Sequence, residues 1–155
     1  MTPTQRRWLC HLTAAAVSLF VVVPLTFMAL DRNNPVKIIS QTLEGDMRPS
    51  KTVTVVWEAV STRSCTGTAR QWLVAMNGIV YDYAQRPTVI RGTGVVKGRY
   101  AIQFDLPYNI PPGLTKREVQ IQYYCNWLQW VLNWPIVIDR EPIWFEILPR
   151  TENPK

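Results

Sequence analysis

The chain has 155 residues, with 17 Lys and Arg against 11 Asp and Glu, a formal net charge of +6, and 47% hydrophobic residues. That length holds one modest domain plus an appendage, and twelve prolines and seven glycines imply many turns. Such a composition argues against a disordered chain and against a helical bundle.

From Trp8 to Leu30 the chain reads WLCHLTAAAVSLFVVVPLTFMAL, 23 residues without Asp, Glu, Lys or Arg. A helix of that length spans about 35 Å, enough for a bilayer core of about 30 Å. A cleaved signal has a shorter apolar core and a small-x-small site. The nearest candidate here ends at Ala29 and has Phe27 at its −3 position. An uncleaved transmembrane anchor over residues 8–30 is therefore expected, with Pro24 tolerated inside it. Arg6 and Arg7 precede the span and Asp31 follows it, so residues 1–7 are assigned to the cytoplasm as a short tail. The lipid bilayer is thus the first expected partner, and the expected setting is a bacterial inner membrane with the domain in the periplasm, or else an extracellular domain. The sequence does not choose between a bacterial and a phage origin.

Residues 31–35 form a polar linker, and residues 36–155 form the outer domain. There, two-residue alternation takes over. VKIISQTL is a first strand and KTVTVVWEAV a second. RQWLVAMNGIVYDY carries Asn77-Gly78, a hairpin signal in which both turn residues are expected to accept positive φ. PTVIR, around Val89, is a short strand. GRYAIQFDL puts Tyr100, Ile102, Phe104 and Leu106 on one face. REVQIQYYC turns Val119, Ile121, Tyr123 and Cys125 inward and Glu118, Gln120, Gln122 and Tyr124 outward. PIWFEIL aligns Ile143, Phe145 and Ile147. The fold class expected is all-β, an antiparallel two-sheet sandwich behind one N-terminal transmembrane helix.

Cys10 lies in the apolar run, while Cys65 and Cys125 fall in the domain. Outside the cytoplasm such a pair oxidises, so a Cys65–Cys125 disulfide is expected; two reduced, buried thiols would mark a cytosolic domain instead. The stretch YYCNWLQWVLNWPIV sets Trp127, Trp130 and Trp134 at i, i+3 and i+7, one side of a helical turn. It occupies the last inter-strand connection. The three rings have three readings: buried caps on the open end of the sandwich, contacts in the headgroup zone, or a partner-binding surface. Asn126, Gln129 and Asn133 would line the opposite face.

Between Ser61 and Tyr100 the basic residues are Arg63, Arg70, Arg86, Arg91, Lys97 and Arg99, against the single acid Asp82. On one face they would meet an anionic surface or an envelope protein; the alternative is a scattered, solvated set. Nucleic acid is not an expected partner. The only histidine, His11, lies in the apolar run, so no histidine-based triad or metal site is expected in the domain. No catalytic residue, metal or cofactor is nominated, and no enzyme is expected.

Tyr123 stands two residues before Cys125, and LPYNIPPGLTKREVQIQYYC looks like the end of an E strand, a Pro/Gly corner and an F strand. In these residues the chain resembles an immunoglobulin-like domain, from about Val36 to Leu148. The resemblance implies a tyrosine corner at Tyr123 and a bridge between the two sheets from Cys65 to Cys125. Val119 and Ile121 depart from the antibody-type motif, and Trp72 follows Cys65 too closely to be the usual strand-C tryptophan. The expected function is a non-enzymatic binding or scaffolding module. Alternatives are a structural subunit packing through the Ala14, Ala15, Ala16 and Ser18 face of its helix, and a carbohydrate-binding envelope protein.

Overall fold

The computed structural model describes residues 3–91 and 96–150. The chain opens with helix α1 (Pro3–Leu30), 28 residues long, which runs without a break through Pro24. Within Thr4–Leu30 the most apolar 18-residue window has a mean hydropathy of 2.2, and 0% of that window is buried. This is one helix long and apolar enough to cross a membrane, and it begins five residues before the expected span.

The rest is mostly β. The strands are β1 (Val36–Gly45), β2 (Thr52–Ser61), β3 (Cys65–Ala75), β4 (Val80–Asp82), β5 (Arg86–Ile90), β6 (Val96–Asp105), β7 (Gly113–Tyr124), β8 (Ile136–Asp139) and β9 (Ile143–Ile147), with the short helix α2 (Trp127–Val131) between β7 and β8. All pairings are antiparallel. One sheet has the order β1-β2-β6. The other has the order β4-β3-β7-β8, with β5 also on β3 and β9 also on β7.

Alternation explains which faces are buried. On β7, Thr115, Arg117, Val119, Ile121 and Tyr123 are buried, and the residues between them are only half-buried. One core cluster joins Val53 and Val55 of β2, Leu73 of β3, Phe104 of β6 and Ile147 of β9. A second joins Ala59 of β2 with Cys65, Ile121, Tyr123 and Ile136. Each cluster draws on both sheets, so each sheet buries one face against the other. Each large side chain so buried contributes about 1.5–3 kcal/mol.

Three expectations are corrected. The stretch expected to be the last connection contains a further strand, β8, paired with β7, so the tryptophan segment lies in the connection before it. The Asn77-Gly78 hairpin forms, but only Gly78 has positive φ, at 81°. Gly78 N–H donates to Ala75 O at 2.9 Å and Ala75 N–H to Ile79 O at 3.0 Å, so the loop has three residues, a turn closed by a left-handed glycine. The disulfide Cys65–Cys125 is present, with Cα atoms 4.3 Å apart. It does not link the two sheets. Thr66 pairs with Tyr124, so the bridge joins the ends of neighbouring strands β3 and β7 within one sheet. The reason is positional: Cys65 opens β3 instead of lying in β2.

Candidate functional site

The C-terminal end of α1 meets the tryptophan segment. An α-helix leaves its last carbonyls without partners, and two polar side chains from α2 and its cap take them up. Asn126 Nδ2 donates to Met28 O at 3.0 Å, and Gln129 Nε2 donates to Asp31 O at 2.8 Å. Both amides also work locally. Asn126 Oδ1 caps α2 by accepting from Gln129 N–H at 2.9 Å, and Gln129 Oε1 accepts from Cys125 N–H at 2.8 Å. Gln129 is 1% exposed. Arg63 adds bonds to the Asp31 carboxylate and to Asn33 O. Arg32 donates to Pro135 O at 2.6 Å and lies 4.2 Å from the centre of the Trp134 ring. The disulfide fixes Cys125 at the start of this segment.

With Asn126 and Gln129 turned to the helix end, the apolar residues face outward. Trp127 is 57% exposed, Trp130 70% and Trp134 45%, and Val131 and Leu132 are exposed beside them. The buried-cap reading of these rings is therefore overturned. Trp134 lies beyond α2, because Asn133 adopts a left-handed φ of 47°.

The basic residues do not share a face. Arg63 belongs to the helix joint. Arg70, on β3, pairs with Asp82 at 2.5 Å and holds its carboxyl below the usual range through that hydrogen bond. Lys97 and Arg99, on β6 of the other sheet, face Glu58 at 3.8 Å and Glu44 at 3.6 Å. Arg91 is exposed at the end of β5. Arg86 turns toward the space between the sheets and donates to Gln103 O at 3.0 Å. One positive surface does not form, since four of the six lie against carboxylates on different elements. Tyr123 does not form a tyrosine corner as expected. It is buried near the end of β7, not at its start, and its hydroxyl lies 3.3 Å from Arg140 Nη2. Burial raises its pKa.

A polar slot, missed by sequence reasoning, separates the two core clusters. Arg117, 2% exposed, points inward from β7, and Gln71, 7% exposed, from β3. Arg117 Nη2 donates to Gln71 Oε1 at 2.6 Å. The guanidinium carbon lies 5.2 Å from the Phe104 ring centre and 5.9 Å from that of Trp57. Among the described residues no carboxylate pairs with Arg117. Burial pushes its pKa down to about 10, Tyr83 opposing the fall and Arg86 adding to it, and at about 10 it still carries its charge at neutral pH. Arg117 Nε, Gln71 Nε2 and Trp57 Nε1 are buried with no hydrogen-bond partner. The slot has a volume of about 420 Å³ and runs between the β5 and β6 edges, where Arg86, Pro87, Ala101 and Gln103 line it. A second space of about 370 Å³ adjoins it toward Val89, Tyr100 and Arg140. The sequence signal was the inward alternation of β7 carried back two residues from Val119, which lands on Arg117.

Neither a scan against known protein-family models nor a search of curated proteins gives a match for this chain.

Proposed function

We propose that this chain is a single-pass membrane protein that displays a non-enzymatic binding module outside the cytoplasm, with the module held close against the bilayer. The observation that carries the reading is the joint between α1 and α2. An uncovered apolar helix ends in hydrogen bonds to the one segment that exposes three tryptophans. Tryptophan favours the headgroup level, where its ring is half apolar and its N–H is wet. Placing α1 across a membrane therefore brings Trp127, Trp130 and Trp134 to that level. Arg6 and Arg7 before the helix favour a cytoplasmic N-terminus, and the disulfide suits an oxidising compartment.

The module reads best as an immunoglobulin-like sandwich. The orders β1-β2-β6 and β3-β7-β8 correspond to strands A-B-E and C-F-G of that architecture. Here β5, in the D position, has moved from the β6 edge to β3, which leaves β6 at the edge of its sheet among the described residues.

The test is thiol labelling in intact cells with a membrane-impermeant maleimide. Cys65 and Cys125 should stay unlabelled until reductant is added, and the full-length chain should stay with the membrane fraction. Labelling that needs permeabilisation but no reductant would place the domain in the cytoplasm and end the proposal.

A further inference from the structure

Arg117 is a cation in the place of a core residue. An uncompensated buried charge costs several kcal/mol, and among the described residues no group around Arg117 offsets it fully. Gln71 offers one neutral acceptor, and the two aromatic rings offer only their faces. Arg86, a second cation, repels it. The free hydrogen-bonding atoms at this spot are all N–H donors: Arg117 Nε, Gln71 Nε2 and Trp57 Nε1. Gln71 Oε1, an acceptor, is already used by Arg117. Three buried donors without partners around a guanidinium fit an acceptor-only group, which means an oxyanion.

The walls say what the oxyanion is attached to. Beside the donors the slot is lined by Ala69, Pro87, Ala101, Ile102 and Val119, with Arg86, Thr88 and Gln103 on the β5 and β6 edges. It continues past Ala101 and Ile102 into the second space, whose lining is also mainly apolar. Volumes of about 420 and 370 Å³ fall in the range of sites for small organic ligands, roughly 300–1,000 Å³. Access lies between the β5 and β6 edges. There the Arg86–Gln103 bond crosses from one sheet to the other and would have to move aside or flank the ligand.

We infer that the slot between the sheets binds a single-chain amphiphile with a carboxylate head, the carboxylate on Arg117, Gln71 and Trp57 and the apolar body along Ala101 and Ile102. The site is independent of the membrane reading, because every group in it belongs to the β domain.

The test uses the full chain in nanodiscs of zwitterionic phosphatidylcholine, followed by the nitrogen–proton resonances of the tryptophan indoles and of arginine Nε–H. The Trp57 signal is assigned with Trp57→Phe. Sodium octanoate should move the Trp57 indole and Arg117 Nε–H resonances saturably. It should bind about tenfold or more tighter than octanol, the ratio expected from one charge-assisted hydrogen bond, and octylammonium should not compete. Arg117→Gln should abolish the octanoate response; if that variant fails to fold, the comparison of the three probes on the wild type still decides. The inference is overturned if octanoate moves neither resonance. It is equally overturned if octanol matches octanoate, which marks a plain apolar gap, or if sodium phosphate matches it, which marks an inorganic anion site.

Discussion

Arg117 sits where the alternation of β7 calls for an apolar side chain, and its cost should be measurable. Replacing it with Met keeps the length and removes the unpaired charge, so Arg117→Met is expected to raise the unfolding free energy of the domain by on the order of 1 kcal/mol. Gln71 Oε1 then loses its donor, so Arg117→Met with Gln71→Leu should gain more. A drop in stability for both variants, followed by near-ultraviolet circular dichroism, would mean that the guanidinium is a structural group. Gly67 makes the opposite case. A Cβ there would lie 1.9 Å from Gln122 O, whereas Gly78, with positive φ, has open space around it. Gly67→Ala should therefore force β3 from β7 and cost about 3 kcal/mol, and Gly78→Ala should cost about 1–2 kcal/mol through its φ alone. Tyr83 sets the alkaline behaviour. Burial raises its phenol from 10.0 to about 12, so the folded state holds that proton longer than the unfolded chain. Its contribution is complete below pH 10 and is lost as pH rises through about 12. Arg117, lowered from 12.5 to about 10, works with the opposite sign over the same window. Tyr83→Phe compared with wild type isolates the phenol: one late phenolate step should vanish from the absorbance titration, and the alkaline fall in stability should flatten. Arg117 was hard to read in the sequence because Lys116-Arg117-Glu118 looks like a solvated charge run. Its inward direction is decided by register with Val119.

Most strands were legible because their alternation sets their own faces; β8 was not, since its four residues lie in the stretch read as the last connection and are too few to show a pattern. Phe104 and Leu106 of the β6 run, and Val119, Ile121 and Tyr123 of β7, are buried as the pattern requires, while Tyr100 stays 41% exposed. Pairing was less legible. The disulfide partners could be named, but whether they crossed between sheets depended on which strand Cys65 belongs to, and no local pattern decides that. The short helix α2 was legible as a face, Trp127 and Trp130 on one side and Gln129 on the other. What the amides of Asn126 and Gln129 bind was not, because their partners lie 98 residues away. That contact makes the joint a testable element. Gln129→Leu keeps the volume but leaves Cys125 N–H and Asp31 O without their partner, which should cost about 1–3 kcal/mol. Hydrogen exchange should rise over residues 125–133 and at the end of α1. Unchanged exchange there would mean that α1 is not tied to the domain. The disulfide acts on the same element, closing a loop between residues 60 apart. On chain entropy, Cys65→Ala with Cys125→Ala should cost about 4 kcal/mol, with the largest exchange increase again at α2.

Exposed tryptophans stand near both ends of α1. Trp8, 67% exposed, lies near the start of α1, and Trp127, Trp130 and Trp134 are gathered where α1 ends. From Trp8 to Leu30 the helix rises about 33 Å, close to the thickness of a bilayer's apolar core, about 30 Å. If α1 crosses a membrane, both sets of rings fall in headgroup zones, one in each leaflet. The β domain then cannot swing freely on a linker, because Arg32, Arg63, Asn126 and Gln129 each bond across the joint. This arrangement distinguishes a membrane seat from a protein-binding surface without knowing any partner. In vesicles of lipid alone, with Trp8→Phe as background, bromines placed near the headgroup should quench a large part of the fluorescence, and bromines near the chain ends much less. Changing Trp127, Trp130 and Trp134 together to Ser should remove most of the shallow quenching while α1 stays resistant to alkaline extraction. The remaining tryptophans, Trp57, Trp72 and Trp144, lie in the β strands and serve as the unquenched reference. Shallow bromines that leave the wild type unquenched would show that the rings stand clear of lipid, and the exposed face of α2 would then be a surface for another protein.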